Sequence, residues 1–172
     1  MTRGFFIASR IEDSKMNQIY AIADLYLGGS QIYKQREFYS IEEHDAVTVE
    51  RINSACDKYD TLIICGDVVS RYVEHVPEFL SELVCRKRIV LGNHDRQDRL
   101  ADVLTNVLGY YGSCVFKNYL FTHIPVHPYQ FEKDTKRTIN IHGHLHSKSI
   151  KDERYINVSW EQSNGFPMLI SR

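Results

Sequence analysis

Thr61-Leu62-Ile63-Ile64-Cys65-Gly66-Asp67 is the stretch on which the fold turns. It is an apolar run of strand length, closed at once by a glycine and a carboxylate. Working outward, runs of the same kind lie at Ile19 to Ala23, Arg88 to Leu91, Tyr119 to Thr122 and Thr138 to Ile141. Helical spacing fills the gaps between them. Val49, Ile52, Cys56 and Tyr59 recur at intervals of three and four, with Glu50, Asn53 and Lys58 turned away, which predicts a helix covering a sheet. Shorter helices are predicted over Pro77 to Leu83, where proline suits a first turn, and over Asp98 to Leu108, ended by Gly109. Lys117-Asn118 reads as a hairpin turn, and beyond Thr138 the helical pattern gives way to short strands at Tyr155 to Trp160 and Pro167 to Ile170. Strands alternating with helices, and then strands alone, give an α/β fold with a mixed sheet system.

A chain of 172 residues is of single-domain size, and no repeat or linker divides it. The domain is expected over 16–172, with residues 1–15 either an extension of the core or an ordered edge strand. With 21 basic against 22 acidic residues, composition points to no nucleic-acid or membrane partner, so any phosphate recognition rests on local groups. Cys56, Cys65, Cys85 and Cys114 form no CxxC pair and lie in apolar surroundings, the pattern of packed free thiols in a reducing compartment. No apolar stretch reaches the roughly 18 residues of a membrane span, and Phe5 to Ala8 is too short for a signal-peptide core, so the expected location is the cytoplasm.

Polar residues stand just past the end of each apolar run, where an α/β sheet offers its loops to a ligand: Asp24, Asp67, Asn93 with His94, His123, and His144 with His146. Any one of them alone reads as a capping or turn residue. Five such coincidences in a row argue for one site. Aspartate, asparagine and histidine together suit manganese, iron, zinc or a similar ion better than a soft copper site or an all-oxygen calcium cage. Glycines at 66, 92 and 143 let the backbone turn sharply and approach a bulky anionic substrate.

Gly66-Asp67, Gly92-Asn93-His94-Asp95, the later His123 and Gly143-His144-Leu145-His146 follow the order of motifs in the calcineurin-like metallophosphoesterase family, which the sequence resembles. The similarity is closest to the small single-domain members and spans all but the first fifteen or so residues. It implies a four-layer α-β-β-α sandwich of mixed sheets with metal ligands on loops at strand ends. It also implies one or two divalent ions (Mn, Fe, Zn or Ni, with Mn favoured for activity). Asp67 would bridge them, one ion also taking Asn93, His123 and His144. The other would take Asp24, His146 and a histidine two residues after Asp24, where this sequence has Tyr26. A further histidine common in the small members is here Gly29. The implied reaction is hydrolysis of a phosphomonoester or phosphodiester, nucleotides included, by metal-bound hydroxide. His94 would be the general acid, Asp95 would orient its ring, and Arg71 and Arg96 would grip substrate phosphate.

Three readings of Tyr26 stand. It is a phenolate ligand, a filler that leaves its ion weakly held by Asp24, Asp67, His146 and water, or a change that cripples the enzyme. The second is favoured, because a phenol of pKa about 10 is a poor ligand for common divalent ions. The competing function is a phosphoesterase-fold binding module without turnover, which the altered Asp24 loop favours and the intact His94 opposes. Nuclease activity lies within the family's range, but no basic patch supports it. His142 and His127 read as packing or supporting groups, and His44 with Glu42-Glu43 as a solvated helix start. Trp160, Tyr110-Tyr111 and Phe5-Phe6 read as packing residues.

Overall fold

A computed structural model describes residues 17–70, 80–96, 107–132 and 139–171. Strands β1 (Ile19–Ile22), β2 (Thr61–Cys65), β3 (Arg86–Val90), β4 (Val107–Tyr111) and β9 (Met168–Ser171) form one sheet in the order β4-β3-β2-β1-β9. All its pairings are parallel except β9 on β1. The second sheet has the order β5-β6-β7-β8, from β5 (Cys114–Phe116), β6 (Tyr119–Phe121), β7 (Ile139–His142) and β8 (Tyr155–Asn157). Its β5–β6 hairpin turns at Lys117-Asn118 as expected, with Lys117 in the left-handed region at φ 52°.

The quoted run becomes the central strand of the first sheet, and all five of its residues are buried. Alternation then divides the side chains between two cores. Ile63 and Cys65, with Ala21, Ala23 and Val90, face Phe121, Ile141, Cys114 and Val158 of the second sheet. Leu62 and Ile64, with Ile22 and Ile89, pack under helix α2 (Ile41–Ala55) through Val49 and Ile52. Ser40 caps α2 by accepting the Glu43 N–H, and Glu43 returns a carboxylate to the Tyr39 N–H. Asn53 fastens the far end, donating to the Glu82 carbonyl and accepting from the Val84 N–H. These are the helix, sheet and sheet layers of the expected sandwich. On the outer face of the second sheet, the loop after β6 is tied down by Asn140, which accepts the Val126 N–H, and by the Tyr155 hydroxyl, which donates to the Val126 carbonyl.

Several local expectations change. Helix α2 stops at Ala55, so Cys56 is its buried cap while Tyr59, 55% exposed, covers no sheet. Leu108 and Gly109 lie in β4 and do not end a helix, while residues 98–106 of that predicted helix lie outside the described residues. Of the predicted Pro77 to Leu83 helix, 80–82 are helical and 71–79 lie outside the description. The strand predicted to Trp160 ends at Asn157, because Trp160–Ser163 turns into a short helix that carries the Trp160 ring under α2, its Nε1 donating to the Thr48 hydroxyl. His44 is not solvated. It is wholly buried, bonded to Asp45 and to Arg36. All four cysteines are free and buried, and no described helix is long and apolar enough to cross a membrane.

Candidate metal centre

Strands β1, β2, β3, β6 and β7 release their chains at one end of the two sheets, and backbone hydrogen bonds lace the emerging loops together. The Asp24 N–H donates to Gly66 O, the Tyr26 N–H to Asp67 O, and the Gly143 N–H to His123 O, at 2.9–3.0 Å. Among the described residues eight non-glycine positions have positive φ, and five of them are Asp24, Tyr26, Asp67, His144 and His146. Left-handed backbone costs roughly 1–2 kcal/mol per residue, so its concentration here marks a site whose geometry the surrounding fold enforces.

Asp24, Asp67 and His123 are buried, and one ligand atom from each falls within 4.8 Å of the others. His123 Nδ1 lies 2.9 Å from the Cys65 carbonyl, which can only accept, so the proton is on Nδ1 and Nε2 faces the carboxylates. Nε2 lies 2.8 Å from Asn93 Oδ1 and 3.3 Å from Asp67 Oδ2. The His144 ring stands edge-on to His123 at 5.1 Å, and the His144 N–H donates to Asp24 Oδ2. Burial works to raise the Asp67 carboxyl, but in the metal-free site the second proton that a raised His123 holds on Nε2, the Tyr26 hydroxyl and the His94 N–H outweigh it and hold it below the usual carboxylate range. Asp24 is raised, by burial above all. Its Oδ1 is buried without a hydrogen-bond partner, since the neighbouring Ser159 hydroxyl donates to Asn157 at 2.7 Å. Two buried carboxylates this close, one with an orphaned oxygen, need a cation to offset their desolvation, and the donors suit a divalent ion of intermediate hardness. The residues fit the metal that the sequence implies.

The site glycines make room for the carboxylates themselves, not only for substrate. A Cβ on Gly92 would stand 2.1 Å from Asp67 Oδ1, and one on Gly143 would stand 2.4 Å from the Ala23 Cβ. Asp95 also departs from expectation. Its carboxylate accepts the N–H groups of Asp67, Val68 and Gly92, so it shapes the loop under Asp67 and its oxygens are taken up by backbone, not by the His94 ring. His94 is exposed, and it meets Tyr26 edge to face at 5.5 Å.

Tyr26 turns its hydroxyl onto the bridging carboxylate, donating to Asp67 Oδ2 at 2.6 Å. Burial, then that bond, push the phenol far above its ordinary value, so in the metal-free site it is a neutral donor. His146 stacks on the Tyr26 ring at 5.6 Å and places Nδ1 3.2 Å from Glu161 Oε2. Burial would raise the Glu161 carboxyl, yet the His146 contact and the Arg36 guanidinium bring it down to about 2. Asp24, Asp67 and His123 thus come within ligand distance of one another, Asn93 and His144 stand against His123, and His146 stacks on the other side of Tyr26. Arg96 lines a cleft of about 740 Å³ with Tyr26, Asn93, His94 and His146, and Arg71 lies outside the described residues. His142 is buried behind the site with Nδ1 2.8 Å from the Gly143 carbonyl, and His127 serves the local turn by accepting the Tyr129 N–H. Sequence reasoning missed Arg36, Asp45 and Glu161, which carry no motif spacing and meet the site only through the fold.

Two mixed sheets face to face, with carboxylates and histidines gathered on the loops at one end, define the class: an α/β domain with a metal-binding site of hydrolase type. The chain belongs to the calcineurin-like phosphoesterase family, whose pattern matches residues 18–169. It is similar to the Gene 66 protein of Mycobacterium phage L5, 33% identical over 84 residues, a stretch covering 46% of this chain and 41% of that protein. The Gene 66 protein of Mycobacterium phage D29 is 27% identical over 164 residues, covering 79% and 82%. Among solved structures, the AQ665 protein of unknown function from Aquifex aeolicus superposes with a TM-score of 0.73 at 21% identity, over 89% of this chain and 95% of that one. Phosphopantetheinyl hydrolase from Mycobacterium tuberculosis shares the fold with a TM-score of 0.54 at 11% identity, over 90% and 96%.

Proposed function

We propose that the protein hydrolyses a phosphomonoester or phosphodiester with a divalent ion held by Asp67, Asn93, His123 and His144, and with a weaker second position at Asp24 and His146. The observation that carries the reading is the convergence of buried Asp24, Asp67 and His123, with one ligand atom of each within 4.8 Å of the others. A divalent ion in such a set supplies Lewis acidity toward phosphoryl oxygen and lowers the pKa of a coordinated water. The chain's own residues do the rest. The Cys65 carbonyl fixes the His123 tautomer, and the His94 N–H steadies Asp67 Oδ1 at 2.9 Å. His94, exposed on the cleft, is the proton donor for the leaving oxygen, and Arg96 on the same wall meets substrate phosphate. Ser30, Gln31, Gln35 and Ser70, with Gly29 and Ile32, leave the remaining wall uncharged, and a cleft of about 740 Å³ admits an ester of nucleotide size.

A second reading, a binding module without turnover, has the Tyr26 hydrogen bond to Asp67 in its favour. One assay separates the two: hydrolysis of a generic phosphomonoester and phosphodiester with added Mn²⁺, by the parent, Tyr26→His and His94→Ala. The enzyme reading expects turnover in the parent, more in Tyr26→His, and a loss of about 10²–10⁴-fold in His94→Ala. Silence in both parent and Tyr26→His would leave the binding module standing. Unchanged turnover in His94→Ala would remove that histidine from the chemistry.

A further inference from the structure

We propose that Arg36 and Glu161 are positioning residues for the Asp24/His146 metal position, a cation–carboxylate pair, its arginine buried and its glutamate partly so, that holds the Asp24 loop at one end and the His146 ring at the other. The proposal rests on the metal-centre reading above and adds to it what builds the weaker position once Tyr26 has withdrawn as a ligand.

Arg36 follows the short helix α1 (Ile32–Gln35) and its side chain is 2% exposed. It lies over the Trp160 ring at 4.4 Å, which fixes the plane of the guanidinium. Every edge of the fork is then used. Nη2 donates to the Asp24 carbonyl at 2.7 Å and Nη1 to the Leu25 carbonyl at 3.1 Å. Nε and Nη2 both donate to Glu161 Oε1, at 2.9 and 2.7 Å. Nη1 also reaches His44 Nε2 at 2.9 Å, and the other His44 nitrogen lies 2.7 Å from Asp45 Oδ1. Since the Asp45 carboxylate can only accept, His44 donates from Nδ1 and receives Arg36 at Nε2.

The two carbonyls taken by Arg36 belong to the turn between Asp24 at φ 58° and Tyr26 at φ 50°. Left-handed residues rotate their peptide groups out of the strand ladder, so those carbonyls need a donor from elsewhere, and the planar fork supplies two at once. Asp45 Oδ2 secures the next part of the same loop by accepting the Gly28 N–H at 2.7 Å. The conformation that aims Asp24 at the metal position is therefore written partly in α2 and in the residue after α1.

Glu161 carries the constraint across to β7's loop. With Oε1 committed to Arg36, Oε2 is buried without a hydrogen bond and stands at ion-pair distance, 3.2 Å, from His146 Nδ1. A carboxylate there holds the imidazole proton on Nδ1, fixes the ring's rotation and leaves Nε2 as the donor atom, which is the relation that supports a metal-ligating histidine. Gln162 Nε2 donates to the His146 carbonyl at 2.6 Å, so the backbone of the same residue is anchored by the neighbour of Glu161. A pair whose role was to hold the fold alone would have no need to divide its hydrogen bonds between the backbone of one ligand and the ring of another.

The test is a calorimetric titration of Mn²⁺ into the metal-stripped full chain, with Co²⁺ absorption as a second readout and thermal melts in chelator as a check on folding. The parent is expected to show a tighter and a weaker binding step. Glu161→Ala is expected to weaken the second step by about 10- to 100-fold and to leave the first within about twofold. Glu161→Gln, which keeps an acceptor oxygen, should fall between, and Arg36→Lys should lose more of the second step than of the first because one ammonium cannot hold two carbonyls and a carboxylate. Equal loss of both steps, or loss of neither, would overturn the proposal, and so would a parent that binds a single ion. A parent that binds no ion would overturn the metal-centre reading itself. Because Glu161→Gln preserves size and one acceptor, it carries the test if the alanine variant does not fold.

Discussion

Replacing Tyr26 with phenylalanine removes one oxygen and should move stability and metal affinity in opposite directions. The hydroxyl donates to Asp67 Oδ2 at 2.6 Å, a short bond to an ionised acceptor. Such bonds contribute about 1.5–3 kcal/mol, and in a chain of this size each kcal/mol corresponds to roughly 2–4 °C in Tm. Without metal, Tyr26→Phe should therefore melt about 3–12 °C lower than the parent. With metal the sign reverses. In the parent an ion must compete with the phenol for the Oδ2 lone pairs, whereas in the variant that competitor is gone, so affinity for Mn²⁺ should rise by up to about 10- to 150-fold for the same 1.5–3 kcal/mol. Scanning calorimetry in chelator and a Mn²⁺ titration of both proteins measure the two effects. Tighter binding together with a lower metal-free Tm supports the neutral-donor role. A variant that binds Mn²⁺ no better than the parent would refute it, and so would a visible phenolate-to-iron band in the ferric parent that disappears in Tyr26→Phe.

Gly92→Ala places a Cβ 2.1 Å from Asp67 Oδ1 and 2.3 Å from the Asp67 backbone nitrogen, so it should abolish tight Mn²⁺ binding and also lower the metal-free Tm, as titration and circular dichroism melts would show. Lys87 is wholly buried in β3 with Nζ on the Leu83 and Cys85 carbonyls, and burial lowers its pKa. For a lysine so lowered, the unfolded chain holds the extra proton between the folded pKa and about 10.4, so this group's contribution to stability rises with pH across that window. The Tm of Lys87→Met minus that of the parent should accordingly shrink as pH is raised toward about 10.4, and a difference that is flat with pH would count against a Lys87 pKa lowered by folding. His94→Ala should lose most turnover on esters with poor leaving groups and least on nitrophenyl esters, which need little protonation, with Mn²⁺ affinity unchanged.

Much of the candidate site could be read along the chain because each proposed ligand sits directly after an apolar run. Asp24, Asp67, Asn93, His123 and His144 obey that rule, and strand polarity alone brings the ends of parallel strands to one side. The rule stops at groups whose use depends on rotation or on a distant partner. Asp95 looked like an orienting carboxylate for its neighbour His94, but a sharp turn at Gly92 rolls it inward onto three backbone N–H groups. His44 looked solvated beside two glutamates, yet its position on α2 turns it under the Asp24 loop.

The sequence by itself determined the α/β class, the central strand ending in Gly66-Asp67, the donor types gathered after the strands and the preference for Tyr26 as a filler over a ligand, because residue type and spacing suffice for these. Tertiary structure decided what Tyr26 does instead, which is to donate to Asp67 from 41 residues away. It also decided that Arg36 and Glu161, 125 residues apart, meet beneath Asp24 and beside His146. Hydrogen bonds between side chains so far apart in sequence depend on how two sheets and a helix are laid together, and no local pattern records that.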